Sequence, residues 1–182
     1  MTQTMTRETA SGPGLVPSGR GSKRPLEQSS DDRQYLTFML GAEIFAINIL
    51  RIKEIIEYGN LTVVPKMPSF IRGVINLRGA VVPVIDLAAR FDKDEATISR
   101  KTCIVILEVE HAEAQQVIGV LVDAVNEVLE IASDQIEPVP SFGAKVRTDF
   151  IDGMGKVDQK FVIILNVNQV LSVDEMAELV QI

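Results

Sequence analysis

The chain has 182 residues, 46% of them hydrophobic and 24% charged, so it can bury the core of one ordinary domain or of two small ones and is not a disordered polymer. Its 18 basic and 25 acidic side chains leave a net charge of -7, which opposes phosphate backbones and anionic lipid and speaks against nucleic acid as a partner. One cysteine excludes an internal disulfide, and no run reaches the roughly 20 apolar residues of a spanning helix or shows a signal-peptide pattern, so a cytoplasmic protein without direct membrane insertion is expected.

Residues 1–33 are rich in Gly, Ser, Thr and Pro without any period and are expected to form a disordered tail. The tail holds five basic residues (Arg7, Arg20, Lys23, Arg24, Arg33) and four acidic ones (Glu8, Glu27, Asp31, Asp32), which leaves 13 against 21, or -8, in the body from Gln34 onward. There the pattern turns to short β-branched runs separated by turns. Leu36, Phe38 and Leu40 alternate ahead of Gly41 and then Ile44-Phe45, which is a hairpin signal. Residues 49–56 carry isoleucines at helical spacing that equally suit a strand entered through a short turn, and periodicity leaves both open. Further strands are expected at 63–64, 73–77, 81–85, 102–109, 116–122, 125–131 and 161–167. A turn or two of helix should follow Asp86. A C-terminal helix should start at Ser172, where Ser172 and Glu175 have capping-box spacing.

Two internal matches stand out. Phe45 to Glu57 lies on Ile118 to Glu130 without a gap, apolar on apolar, and Glu54 and Glu57 fall on Glu127 and Glu130. Phe70-Ile71-Arg72-Gly73 and the strand after it correspond to Phe150-Ile151-Asp152-Gly153 and its strand. Two matches in the same order indicate a duplication. Units of about five short strands suit small barrels, which have no free edge. The expected fold is mainly β, two small five-stranded barrels side by side with a few short helices. The first barrel is expected over about 34–100 with contributions from the C-terminal segment, the second over about 101–170.

Chemistry is sparse. His111, the one histidine, sits among Glu110, Ala112 and Glu113 and is expected in a solvated connection; with one His and one Cys no Cys/His zinc site can form. Gly153-Met154-Gly155 lacks the context of a phosphate loop and is taken as a hairpin turn. Cys103, inside an apolar run, is expected to pack as a small hydrophobe rather than act as a nucleophile. No catalytic residue, cofactor or metal ligand is assigned, and the chain is expected not to be an enzyme. Apolar grooves with some charge matching are the expected binding mode.

Tyr35-Leu36-Thr37-Phe38 with Leu40-Gly41, Lys53-Glu54-Ile55, the hairpin segment Asn76-Leu77-Arg78-Gly79 and Val82-Pro83-Val84-Ile85-Asp86-Leu87 together resemble the CheW family of chemotaxis coupling proteins, from Gln34 to Leu179. The resemblance implies two intertwined five-stranded SH3-like barrels and a scaffold role in two-component signalling: bridging the cytoplasmic tip of methyl-accepting chemoreceptors to the regulatory domain of the histidine kinase CheA, at the inner face of the membrane. It implies a receptor-binding groove between the barrels, here Ile49, Ile52, Arg78, Cys103 and Val128. It also implies a kinase-binding surface around Glu54, Glu57, Tyr58 and Gly73. Glu54 can pair with Arg78 or face water. A scaffold of the same fold in a non-chemotaxis array, serving surface motility or development, is the alternative.

Overall fold

The computed structural model describes residues 33–91, 93, 96–139 and 148–172. Residues 1–32 of the expected tail and the expected helix beyond Ser172 lie outside them. The elements run β1 (Gln34–Leu40), β2 (Glu43–Asn48), β3 (Ile52–Glu57), β4 (Ile71–Leu77), β5 (Ala80–Asp86), α1 (Leu87–Arg90), β6 (Cys103–His111), β7 (Ala114–Val122), β8 (Ala124–Glu130), β9 (Ile136–Glu137), β10 (Ile151–Val157), β11 (Lys160–Leu165) and α2 (Val167–Val170). Residues 49–51 form one 3-10 turn before β3, so the strand entered through a turn is the form the isoleucine run takes.

Two sheets result. One has the order β8-β1-β2-β11-β10-β9, the other β3-β6-β7-β5-β4. Exchanging β1–β5 for β6, β7, β8, β10 and β11 turns one order into the other, β9 aside, so the duplication seen in the sequence is present in the topology. The registers agree residue by residue: Ile164 pairs in parallel with Ala46, and Val84 pairs in parallel with Gly119. Both antiparallel pairs that open each half-sheet carry an irregularity at matching places, Ile71/Gly73 and Ile151/Gly153.

Each sheet therefore mixes the two copies. The first hairpin of one copy lies against the last strands of the other, and the chain changes sheet at residues 49–51 and again at Asp123. The boundary expected near residue 100 does not coincide with a sheet boundary; strands β3 to β7, on both sides of it, share one sheet. No local signal marks this exchange, because it depends on which strands pair.

Three apolar clusters follow from this layout. Ile75, Val82, Val84, Ile104, Ile106 and Leu121 fill one curled sheet; Ala46, Ile131, Val162 and Ile164 fill the other. The largest cluster, with Phe38, Phe45, Ile47, Val105, Leu107, Val120 and Phe150, lies between the sheets. In β6, Ile104 and Ile106 point into a barrel while Val105 and Leu107 point to the shared core. Both faces are buried, which is why this strand is a continuous apolar run rather than an alternating one.

Three local expectations need correction. Residues 63–64 form no strand; Thr62 alone makes an isolated bridge to Val74, and Val63 is 74% exposed. Gly153-Met154-Gly155 is not a turn but the middle of β10, whose hairpin turn is Asp158-Gln159 with positive φ at both residues. His111 ends β6 beside the turn Ala112-Glu113 rather than lying in a longer connection.

Candidate functional site

β3 and β8 are the edge strands at which the two sheets begin, and they occupy equivalent places in the duplication. β3 pairs on one side with β6, Ile52 opposite Leu107 and Glu57 opposite Cys103. β8 pairs on one side with β1, Leu36 opposite Val128. The bulge in β8 is held by a buried hydroxyl: Thr37 Oγ1 donates to the Glu127 carbonyl at 2.7 Å and accepts from the Glu127 N–H at 3.3 Å. Ion pairs Lys53–Glu108 (3.3 Å) and Arg51–Glu110 (3.7 Å) tie the β3 side to β6.

The residues expected to bind a receptor do not form one cluster. Ile52 and Cys103 both pack against the shared core, at opposite ends of the β3/β6 pair, about 13 Å apart along β6 at the usual strand rise. Cys103 is half-buried, its thiol donates to the Lys101 carbonyl at 3.3 Å, and burial, then the Glu57 carboxylate, push its pKa up. It is a protonated packing residue, as expected of it, and not a poised nucleophile. Ile49 is half-buried in the 3-10 turn, which Asn48 caps by accepting the Leu50 N–H. Val128 is exposed on the β8 edge.

Exposure brings forward residues that the sequence reading passed over. Ile55, 42% exposed on β3, falls on Val128, 47% exposed on β8, in the repeat. Leu50, 56% exposed, extends the β3 side. The signal was present in the gapless match of 45–57 on 118–130, but both partners were apolar and therefore resembled core.

Arg78 sits at the first position of the two-residue β4/β5 turn, φ +51°, followed by Gly79 at +87°. Both values suit a mirror-image hairpin turn, and Asn76 fastens it by accepting the Gly79 N–H at 2.8 Å. The guanidinium reaches Glu54 on β3, 3.4 Å to each carboxylate oxygen. Since β3 and β4 are the two edges of one sheet, this pair spans the side on which the sheet curls closed. The equivalent positions in the other copy are Glu127 and Asp158, both acidic, and that sheet curls without such a pair. The Arg78–Glu54 pair is therefore not a requirement of the fold.

Of the residues expected to meet the kinase, Glu57 is exposed. Tyr58 packs into the barrel beside Ile56 and Leu61, and its N–H donates to the Thr102 carbonyl. Gly73 is buried at φ +151°, and a β-carbon there would stand 2.2 Å from the Thr62 carbonyl oxygen. Its role is close approach of backbone to backbone, so it has no surface to offer a partner. Among the described residues no group of three or more His, Cys, Asp or Glu could hold a metal ion, and no helix is long and apolar enough to cross a membrane.

Comparison with known proteins agrees with this architecture. A family model described as CheW-like domain matches residues 34–175. The chain is 35% identical over 160 residues to the chemotaxis protein CheW of Klebsiella aerogenes, covering 88% of this chain and 94% of that protein. It is 28% identical over 146 residues to the protein FrzA of Myxococcus xanthus, covering 79% and 88%. The crystal structure of the scaffolding protein TtCheW from Thermoanaerobacter tengcongensis matches with a TM-score of 0.70 at 34% identity, covering 79% of this chain and 90% of that one.

Proposed function

The chain belongs to the CheW-like family, and from that premise we propose that it acts without catalysis, coupling methyl-accepting chemoreceptors to the regulatory domain of the histidine kinase CheA at the cytoplasmic face of the membrane. The apolar side of a helical hairpin from the receptor tip lies along the edges β3 and β8, against Leu50, Ile55 and Val128, with Ile49, Ile52 and Cys103 shaping the floor. The Arg78–Glu54 pair beside it is covered in the complex and fixes the partner's register by the charges it presents. The kinase domain meets the outer face of the second sheet around Glu57 and Val63.

One observation carries this reading: the equivalent edge strands β3 and β8 leave matching apolar side chains, Ile55 and Val128, in water, where the apolar face of a partner would cover them. The similarity to FrzA keeps a second reading in view, in which the same surfaces serve a different signalling array; the contacts are the same and only the receptor differs.

The test is a binding pair. Ile55→Asp and Val128→Asp lie on exposed positions and should fold normally, lose affinity for a receptor cytoplasmic fragment by tenfold or more, and keep affinity for the kinase regulatory domain. Unchanged receptor affinity in both variants would remove these edges from the interface.

A further inference from the structure

Arg90, the last residue of α1, is only 8% exposed although it is a permanent cation. Its guanidinium carbon stands 5.5 Å from the centre of the Phe70 ring and 4.7 Å from that of Phe150. Its Nε–H donates to the Val170 carbonyl in α2 at 3.0 Å. Phe70 and Phe150 are the same position of the two copies: each precedes a β hairpin, and each offers its carbonyl to the N–H of a helix-capping residue, Asp86 at 2.7 Å and Asn166 at 2.8 Å. Arg90 itself falls on Val170 in the duplication. One cation from one copy thus lies between the matching rings of both and takes the carbonyl that its own counterpart provides.

Two arginines could not share that place without facing each other, so the copies must differ here. A buried cation costs desolvation, against which the two ring faces and the Val170 carbonyl act. What the cation adds is direction: the guanidinium plane and its Nε–H have one favourable placement, whereas a flexible apolar chain has several.

We propose that Arg90 is a positioning residue that holds the two copies in a single relative orientation, and that receptor control of the kinase depends on it. The second clause rests on the coupling role proposed above. A displacement imposed at β3 or β8 then reaches the far side of the molecule as a movement of whole sheets rather than being absorbed by slippage of α1 against α2.

The experiment compares the full chain with Arg90→Met, Arg90→Lys and Phe70→Leu. Amide hydrogen exchange of the free proteins should show Val170 and Leu171, whose N–H groups close α2, exchanging at least tenfold faster in Arg90→Met and Phe70→Leu than in the wild type. Arg90→Lys, which keeps a cation against the rings but loses the guanidinium plane and the Nε–H, should exchange at least threefold faster as well. With receptor fragment and kinase added, Arg90→Met should bind each partner within twofold of wild type yet lose at least fivefold of receptor-dependent kinase control, and Arg90→Lys should lose at least twofold of it. If Arg90→Met does not fold, Phe70→Leu decides alone. Unchanged exchange, or full control in a folded Arg90→Met, overturns the proposal. Altered exchange in a system where the wild type itself confers no kinase control leaves the positioning role standing and removes the coupling role.

Discussion

Replacing Arg78 with Ala removes a side chain that is 80% exposed and a pair with Glu54, itself 28% exposed, at 3.4 Å. Exposed pairs of this kind contribute about 0.5 kcal/mol, because solvent screens the attraction and two long side chains must be held still. The left-handed backbone at φ +51° is as unfavourable for Ala as for Arg, so the turn neither gains nor loses. Unfolding in urea should therefore shift by less than about 1 kcal/mol. The effect on assembly should be larger. Once a partner covers the pair, Glu54 left alone is a carboxylate without its cation in a partly desolvated contact, and such truncations cost about 2–5 kcal/mol of binding. Receptor-dependent kinase control should then fall by about tenfold or more. The double exchange Arg78→Glu with Glu54→Arg should recover stability without recovering control, since it reverses the charges the partner meets. A loss of more than about 2 kcal/mol of stability in Arg78→Ala would make the residue structural, and normal control in a folded variant would refute the assignment.

Other consequences are read by simpler means. Gly73→Ala must move backbone, since its β-carbon meets the Thr62 carbonyl at 2.2 Å, and should lose about 2 kcal/mol or more; Gly153→Ala, its counterpart, meets the stiff Ile136 γ2 methyl at 2.5 Å and the Glu137 carbonyl oxygen at 3.2 Å and should also lose stability, though less, in the same urea titration. Asp86→Ala orphans the N–H groups of Ala88, Ala89 and Ala96 inside the protein and should cost about 3 kcal/mol, with Asp86→Asn milder because one acceptor oxygen remains. Cys103, its pKa raised by burial and by Glu57, should react with an alkylating reagent only at higher pH than a free thiol, and Glu57→Gln should move that profile part of the way back. Because the folded pKa is above the unfolded one, this thiol favours the folded state below the unfolded pKa and withdraws that support as pH rises through the folded value.

The strands of the body could be read from the chain because most are bounded by turn residues and rich in branched apolar side chains. The duplication could be read as well, since Glu54 and Glu127 fall together without a gap. The exchange of hairpins between the sheets could not. β2 lies beside β11 and β7 beside β5 in parallel, contacts between residues far apart that leave no trace in local pattern. Gly153 and Gly155 misled for a similar reason: they resemble a turn, but their small size serves the approach of Ile136 and Ile131 across the sheet. The candidate surface was half visible. Arg78 and Val128 are where a partner could reach them, whereas Gly73 and Tyr58 serve the interior, and Ile52 rests on the shared core. An aspartate at Ile52 would thus damage packing, and Ile55 is the better position for a charge.

The role proposed for the protein is to link receptor state to kinase activity. Kinase autophosphorylation should be measured with a receptor cytoplasmic fragment and CheA, with and without this chain. Receptor-dependent control that appears only when all three are present is the predicted result; identical kinase activity in its presence and absence would contradict the account.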